Sequence, residues 1–175
     1  PLQNMTEGIK ASDAYLFDQR IATQWNEISR GGSRGQFLFQ GENPPRGAVI
    51  SYYLKDTAEG APLTISDWDG KQKTEVELKD QSGINRYVWP FEFEPPELND
   101  KEKELFDQYL KTSEWQERRE ISEQLQESLE KRGEKFAGIS RRGEELNKIP
   151  AEPGVYKVTL TIGDTSVSKP LTVRS

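Results

Sequence analysis

The clearest structural signal in the sequence is the run Ala48-Val49-Ile50-Ser51-Tyr52-Tyr53-Leu54-Lys55. Within it, Ala48, Ile50, Tyr52 and Leu54 recur at every second position. Side chains two positions apart lie on the same face of a β-strand, whereas a helix would repeat every three to four residues. The run therefore predicts a β-strand with one apolar face.

Shorter strands are predicted on both sides of this run, with turn residues between them. They cover residues 36–39, 62–67, 74–78, 83–91, 156–162 and 165–174. The predicted turns are residues 41–47, Asp67-Trp68-Asp69-Gly70 and Gly163-Asp164, because Gly, Pro, Asn and Asp favour turn conformations. Pro170 has no backbone N–H to donate, so it predicts an edge or a bulge in the last strand. About seven short antiparallel strands at this spacing predict a mainly β fold, an immunoglobulin-like β-sandwich.

Residues 98–147 break the strand pattern and predict a helical insertion, with helices from about residue 99 to residue 133. Asn99 or Asp100 can cap the first helix, Ser113 can cap a second one, and Gly133 can end it. Nearly half of the insertion is charged, so we expect a solvated α-helical hairpin that rests on the sheet. The predicted apolar positions are Leu105, Phe106, Tyr109, Leu110, Trp115, Ile121, Leu125 and Leu129.

The composition excludes several classes of function, because the sequence contains no histidine and no cysteine. A Ser-His-Asp triad, a cysteine nucleophile, a disulfide and a Cys/His zinc site are all excluded. Carboxylate chemistry, a Lys or Tyr base and an all-oxygen metal site stay open. The net charge of −6 argues against a nucleic-acid partner, because phosphate binding depends on clustered Lys and Arg.

The start of the chain predicts that the sequence is an excerpt from a longer protein. Pro1-Leu2-Gln3-Asn4 has neither a signal-peptide core nor an initiator Met. No stretch approaches the roughly 18 apolar residues that a membrane-spanning helix needs. We expect residues 1–34 to be an irregular connector from a preceding domain and residues 35–175 to form the β-sandwich.

Three stretches of the sequence match motifs of a known group of proteins. Residues 41–54, GENPPRGAVISYYL, match the pattern G-x-N-P-P-x-G-A-x-I-x-Y-x-L. Residues 83–89 match G-x-N-R-x-x-W, and residues 153–160 match P-G-x-Y-x-V-x-L. In these motifs the chain resembles the C-terminal region of large bacterial exported proteins with sortilin-like or BNR β-propeller repeats, which are often labelled glycosyl hydrolases. It differs at Pro90, where the family pattern usually has Asp, and in its longer helical insertion.

The resemblance implies an immunoglobulin-like domain, related in outline to that of flagellar hook-capping proteins, that follows a β-propeller. It implies a non-catalytic accessory role without a cofactor, with the propeller of the same protein as the intramolecular partner. It also implies an exported location, whether periplasmic, on the cell surface or secreted. Any catalysis would then belong to the rest of the parent protein.

Three other functions stay open from the residues alone. A carbohydrate-binding module would stack sugar rings on exposed Trp68 and Trp115, whereas Trp89 is expected in the core. A glycosidase would need two carboxyl groups about 5 to 9 Å apart, and Glu92 and Glu94 are its best candidates. However, their alternation with Phe91 and Phe93 is also typical of an ordinary strand. The third function is oligomerisation through residues 99–133.

Two further turns resemble binding loops but are interpreted as structural. Residues 43–47 could present Arg46 to an anion, yet Pro and Gly explain this stretch as a rigid turn. Asp67-Trp68-Asp69-Gly70 resembles the start of a calcium loop, but Leu78 stands where an EF-hand has its Glu. No metal site is therefore predicted.

Overall fold

The computed structural model describes residues 3, 5–25, 45–140 and 145–175. These residues form a mainly β structure with ten strands in three sheets, one of them a curled half-barrel, and a two-helix hairpin. In chain order the elements are α1 (Glu7–Ala11), β1 (Ala14–Leu16), β2 (Ala22–Thr23), β3 (Ala48–Leu54), β4 (Ala58–Ser66), β5 (Lys73–Asp80), β6 (Gly83–Trp89), β7 (Glu92–Phe93), α2 (Asp100–Lys111), α3 (Trp115–Lys131), β8 (Ile149–Pro150), β9 (Gly154–Ile162) and β10 (Thr165–Arg174).

The described residues divide into two compact units. The first unit takes its residues from Pro1–Gly70, Glu75–Phe91 and Glu152–Ser175. The second unit consists of Lys71–Thr74 and the described part of Glu92–Ala151. The helical hairpin belongs to the second unit, and most of the strands belong to the first.

The three-stranded sheet of the first unit has the order β1-β3-β6, and both pairs are antiparallel. The strand predicted from the alternating run is confirmed as β3. Ala48 lies opposite Trp89, and the register continues to the pair of Leu54 and Gly83. The side chains of Ala48, Ile50, Tyr52 and Leu54 are fully or almost fully buried. The apolar face of β3 thus forms one wall of the core.

The five-stranded sheet has the order β2-β10-β9-β4-β5. Strands β9 and β10 form the predicted hairpin, because Ile162 pairs with Thr165 across the Gly163-Asp164 turn. Strand β2 pairs with β10 only near its end, at Val173 and Arg174, so Pro170 lies where β10 is not covered by β2. The buried residues of this sheet include Leu63, Ile65, Tyr156, Val158, Leu160, Leu171 and Val173.

Trp89 joins the two sheets of the first unit in one core. Its ring is fully buried and meets the ring of Tyr156 edge to face, with 5.2 Å between the centroids. Tyr156 belongs to β9 of the five-stranded sheet, whereas Trp89 ends β6 of the three-stranded one. Edge-to-face aromatic pairs add about 1 kcal/mol to the free energy gained from burial alone.

The irregular conformation predicted for residues 1–34 is wrong for their described part. This part contains α1, β1 and β2, and the two strands extend both sheets of the first unit. Ala14, Leu16 and Phe17 are buried. The apolar pattern over β1 is only three residues long, which is too short for periodicity to distinguish a strand from a loop.

The second unit contains a helical hairpin, as predicted, together with the strand pair β7 and β8. Asn99 caps α2, and the hairpin turns between Lys111 and Trp115. The predicted cap of the second helix is wrong: the N-cap of α3 is Glu114 rather than Ser113, and it makes no side-chain capping bond. The buried apolar residues are Phe93, Leu125, Leu129, Ile149 and Ala151.

Two predictions fall on residues outside the described ranges, namely the strand at residues 36–39 and the first part of the 41–47 turn. Among the helices that the structure describes, none has both the length and the apolar character to cross a membrane.

Candidate functional site

Three of the four tryptophan side chains are exposed. The relative exposure is 76% for Trp25, 72% for Trp68 and 65% for Trp115, whereas Trp89 is fully buried. The predicted exposure of Trp68 and Trp115 and the predicted burial of Trp89 are confirmed. A role for either exposed side chain in stacking a ligand stays a prediction. Trp25 was not singled out by the sequence, because no strand or turn signal surrounds it.

Trp68 lies in the turn between β4 and β5. The backbone N–H of Gly70 donates to the carbonyl oxygen of Asp67 at 3.3 Å, and Gly70 has a φ of +71°. Asp67 to Gly70 therefore form the tight turn that the sequence predicts. Within the described ranges, no group of three or more acidic side chains is arranged to hold a metal ion.

Trp115 is the first residue of α3 and borders a shallow groove of about 490 Å³ on the helical hairpin. The guanidinium of Arg118 lies over the ring of Tyr109, 5.2 Å from its centroid. The Nε of Arg118 also donates to the carbonyl oxygen of Thr112 at 2.8 Å. Trp115 and Trp68 belong to different compact units.

A larger groove, of about 560 Å³, lies on the first unit beside Trp25. Its lining comes from the outward side of the three-stranded sheet and from the segment that follows β1. Val49, Ser51 and Arg86 contribute from β3 and β6, and Ser51 lies directly opposite Arg86 in the register. Residues directly opposite each other share a face of the sheet, so these side chains lie on the face opposite the core.

Gln19 fixes the segment after β1 to the sheet. Its side-chain amide nitrogen donates to the carbonyl oxygen of Phe17, and its amide oxygen accepts from the backbone N–H of Ser51 at 3.2 Å. The backbone N–H of Phe17 donates to the carbonyl oxygen of Ser51 at 3.2 Å. The two bonds to Ser51 therefore hold this side of the groove on β3.

The charges around this groove are not balanced. Lys169 donates to Asp18 at 2.7 Å, and this hydrogen bond raises the pKa of Lys169 above its ordinary value. Arg20 and Arg86 also line the groove, both are exposed, and neither has an ion-pair partner in the part of the chain that the structure describes. The groove thus combines an exposed indole with two cations that form no ion pair with any described residue.

The described end of the predicted 41–47 turn packs against the core. Gly47 has a φ of +144°, and a Cβ atom there would lie 2.3 Å from the carbonyl oxygen of Trp89. No side chain larger than hydrogen fits this position without a shift of the backbone. Arg46 is exposed beside it. The contact between Gly47 and Trp89 therefore supports the interpretation of residues 43–47 as a rigid structural turn.

The two glutamates proposed for glycoside hydrolysis are both exposed. Glu92 and Glu94 flank the buried Phe93, which is the alternation predicted for an ordinary strand. Lys148 donates to Glu94 at 3.0 Å. A general acid in a glycosidase needs an apolar setting that keeps its carboxyl group protonated at neutral pH, and neither residue has such a setting.

Glu102 is a buried carboxylate and was not among the residues predicted from the sequence to form a site. The backbone N–H of Asn99 donates to Glu102 at 2.9 Å, and the Asn99 side chain accepts in return from the Glu102 N–H. Ser128 of α3 donates to Glu102 at 2.7 Å, and Arg132, the C-cap residue of α3, forms an ion pair with it. The spacing Asn-x-x-Glu, which is typical of a capping box, is the sequence feature that could have predicted the role of Glu102.

The hydrogen bonds around Glu102 decide its protonation state. Burial alone would raise the pKa of this carboxyl group. The hydrogen bonds from Asn99 and Ser128 and the positive charge of Arg132 outweigh burial, so the pKa lies below its ordinary value. Glu102 is therefore an ionised carboxylate that links the two helices.

Comparison of this chain with protein-family models, with curated proteins and with solved structures finds no significant match.

Proposed function

We propose that this chain is a non-catalytic accessory domain with an immunoglobulin-like β-sandwich fold, which packs on the β-propeller of a larger exported protein. One observation carries the proposal: the three sequence motifs meet at one point of the core. Gly47 from the first motif lies against the backbone of Trp89 from the second, and Trp89 packs on Tyr156 from the third. Motifs that pack together around one residue act as a signature of a fold rather than of a catalytic site.

The proposal is tested by measuring whether the chain binds the part of the same protein that is encoded upstream of it. The expectation is that the sequence upstream of Pro1 encodes β-propeller repeats. That upstream part, produced separately, should bind the 175-residue chain saturably in isothermal titration calorimetry. An upstream sequence without propeller repeats, or a propeller that does not bind the chain, would overturn the accessory role.

A carbohydrate-binding module is the second candidate, favoured by the exposure of Trp68 and Trp115. Its test is a titration with soluble polysaccharides, with and without calcium, followed by tryptophan fluorescence and calorimetry. A saturable shift that is lost in Trp68→Ala or Trp115→Ala would support it. A shift that both variants retain would rule out these two residues as the stacking site.

A glycosidase that uses Glu92 and Glu94 is the third candidate and has the least support. Both carboxylates are exposed, and Glu94 already pairs with Lys148. To establish this activity, the chain would have to hydrolyse chromogenic glycosides. Both Glu92→Gln and Glu94→Gln would have to abolish that hydrolysis.

A further inference from the structure

We propose that the groove beside Trp25 binds an acidic polysaccharide, with the sugar ring on the indole and the uronate carboxylate on Arg20 and Arg86. Neither Trp68 nor Trp115 is among the residues that line this groove. It goes beyond the accessory role proposed above and does not depend on it.

The apolar part of the groove suits the face of a sugar ring. Trp25 is 76% exposed, Ile21 is 60% exposed and Val49 is 38% exposed, and all three line the same groove. Isolated exposed apolar residues are normal on a protein surface, whereas several together commonly mark a binding site. An indole has a flat apolar face and a polar N–H at its edge. A sugar ring similarly has an apolar face of C–H groups and polar hydroxyl groups around its edge, so the two can stack.

The charged part of the groove suits a carboxylate. The guanidinium group of arginine presents a planar array of donors that matches both oxygens of a carboxylate. Arg20 and Arg86 retain this capacity, because the acidic residue in the groove, Asp18, is paired with Lys169. The chain has a net charge of −6, whereas the charged residues that line this groove, Asp18, Arg20 and Arg86, sum to +1.

The geometry favours a saccharide over an acidic peptide. An extended peptide usually binds along the free edge of a strand, where unpaired N–H and C=O groups extend the sheet. Here the strands that supply Val49, Ser51 and Arg86 are paired with each other, and the groove faces their side chains. A ligand that binds through ring faces and carboxylates therefore matches this surface better than a peptide that binds through backbone hydrogen bonds to a strand edge.

The groove is also partly organised before any ligand binds. The hydrogen bond from the Ser51 N–H to Gln19 and the backbone bond from Phe17 to Ser51 hold the segment after β1 on the sheet. A site fixed in this way loses less conformational entropy when a ligand binds. The side chains of Trp25, Arg20 and Arg86 are exposed, so their substitution should not unfold the chain.

The experiment is calorimetric titration of the full 175-residue chain with polygalacturonate, alginate and hyaluronate. We expect saturable binding to at least one of them, weakened at least tenfold in Trp25→Ala and in Arg86→Ala. Leu110→Ala and Arg119→Ala are the matched controls, because both residues are exposed and belong to the other unit. These controls should bind as the unchanged chain does, and circular dichroism should show that all variants are folded.

Three results would overturn the inference. The first is an absence of binding to all three polysaccharides. The second is equal binding of polygalacturonate and its methyl ester, because the ester keeps the sugar but lacks the carboxylate. The third is equal or tighter binding of poly-glutamate, which would identify the ligand as an acidic peptide. None of these results affects the propeller-binding test, so the two proposals can fail separately.

Discussion

Gly47 illustrates how one residue can be fixed by a single contact between chain segments. A Cβ atom at this position would lie 2.3 Å from the Trp89 carbonyl oxygen and 2.8 Å from Cγ1 of Val88. The first of these atoms belongs to the backbone of β6, so it cannot move without disturbing the pairing of β6 with β3. The φ of +144° adds a second penalty for any side chain.

The variant Gly47→Ala should therefore lose about 3 kcal/mol of unfolding free energy, measured by chemical denaturation. Gly70→Ala is the matched control, because Gly70 also has a positive φ but has open space around its Cβ position. The control should lose only about 1 kcal/mol, which is the cost of the left-handed conformation alone. Equal losses in the two variants would show that the contact with Trp89 contributes nothing.

Glu102 gives the second prediction at the scale of a residue. Its pKa is below the ordinary value of 4.5 in the folded chain, so the unfolded chain binds this proton more readily. The stability from Glu102 should be fully present above pH 4.5 and lost as the pH falls through the lower, folded-state pKa. The variant Glu102→Gln should lose about 2 kcal/mol at pH 7, because its charged hydrogen bonds are weakened. The unfolding free energy of this variant should also decrease less than that of the original chain as the pH falls below 4.5.

The control for this change is Glu104→Gln, an exposed carboxylate two residues further along α2. It should leave the unfolding free energy at pH 7 within about 0.5 kcal/mol of the original value. Denaturation curves from pH 3 to pH 7, followed by the helical circular dichroism signal, provide the comparison. If Glu102→Gln keeps the full acid sensitivity, the ionised form of Glu102 does not stabilise the hairpin.

The two helices of the hairpin differ in how they begin. Asn99 and Glu102 form a complete capping box on α2, whereas Glu114 at the start of α3 makes no capping bond with its side chain. The backbone of Glu114 is already extended, with φ −72° and ψ 121°, as an N-cap requires. Its side chain is one methylene longer than that of aspartate, which is among the best N-cap residues.

The variant Glu114→Asp should therefore gain about 0.5 to 1 kcal/mol, because the shorter carboxylate can accept from the first free N–H groups of α3. The charge is unchanged, so the effect would not come from the helix dipole. Thermal unfolding followed at 222 nm measures it, and Asn99→Ala should shift the midpoint in the opposite direction. A lower midpoint for Glu114→Asp would contradict this view of the start of α3.

At the scale of the whole molecule, the sequence predicts elements better than it predicts how they combine. The pattern from Ala48 to Leu54 repeats every two residues, and the structure has a strand there. Strands β1 and β2 were missed because they contain three and two residues and depend on pairing with β3 and β10 for their conformation. Sheet order is set by contacts between distant segments, which short-range periodicity does not report.

The same reasoning explains the outcome for candidate sites. The exposure of Trp68 could be inferred because a turn residue is normally at the surface. The groove beside Trp25 could not be inferred, because its lining comes from the segment after β1 and from the outward face of two strands. Arg20 and Arg86 are 66 positions apart in the sequence, and only the pairing of β3 with β6 brings Arg86 beside Ser51 in this groove.

The sheet order gives a prediction for hydrogen exchange in the first unit. Strand β3 has β1 and β6 as neighbours, and β9 has β10 and β4, so both strands are paired on two sides. Such strands open only with large parts of the structure, whereas a two-residue strand at a sheet edge opens locally. Deuterium exchange followed by mass spectrometry should therefore find the slowest amides in β3 and β9 and fast exchange in β2. Exchange in β9 as fast as that in β2 would mean that the order of the five-stranded sheet is wrong.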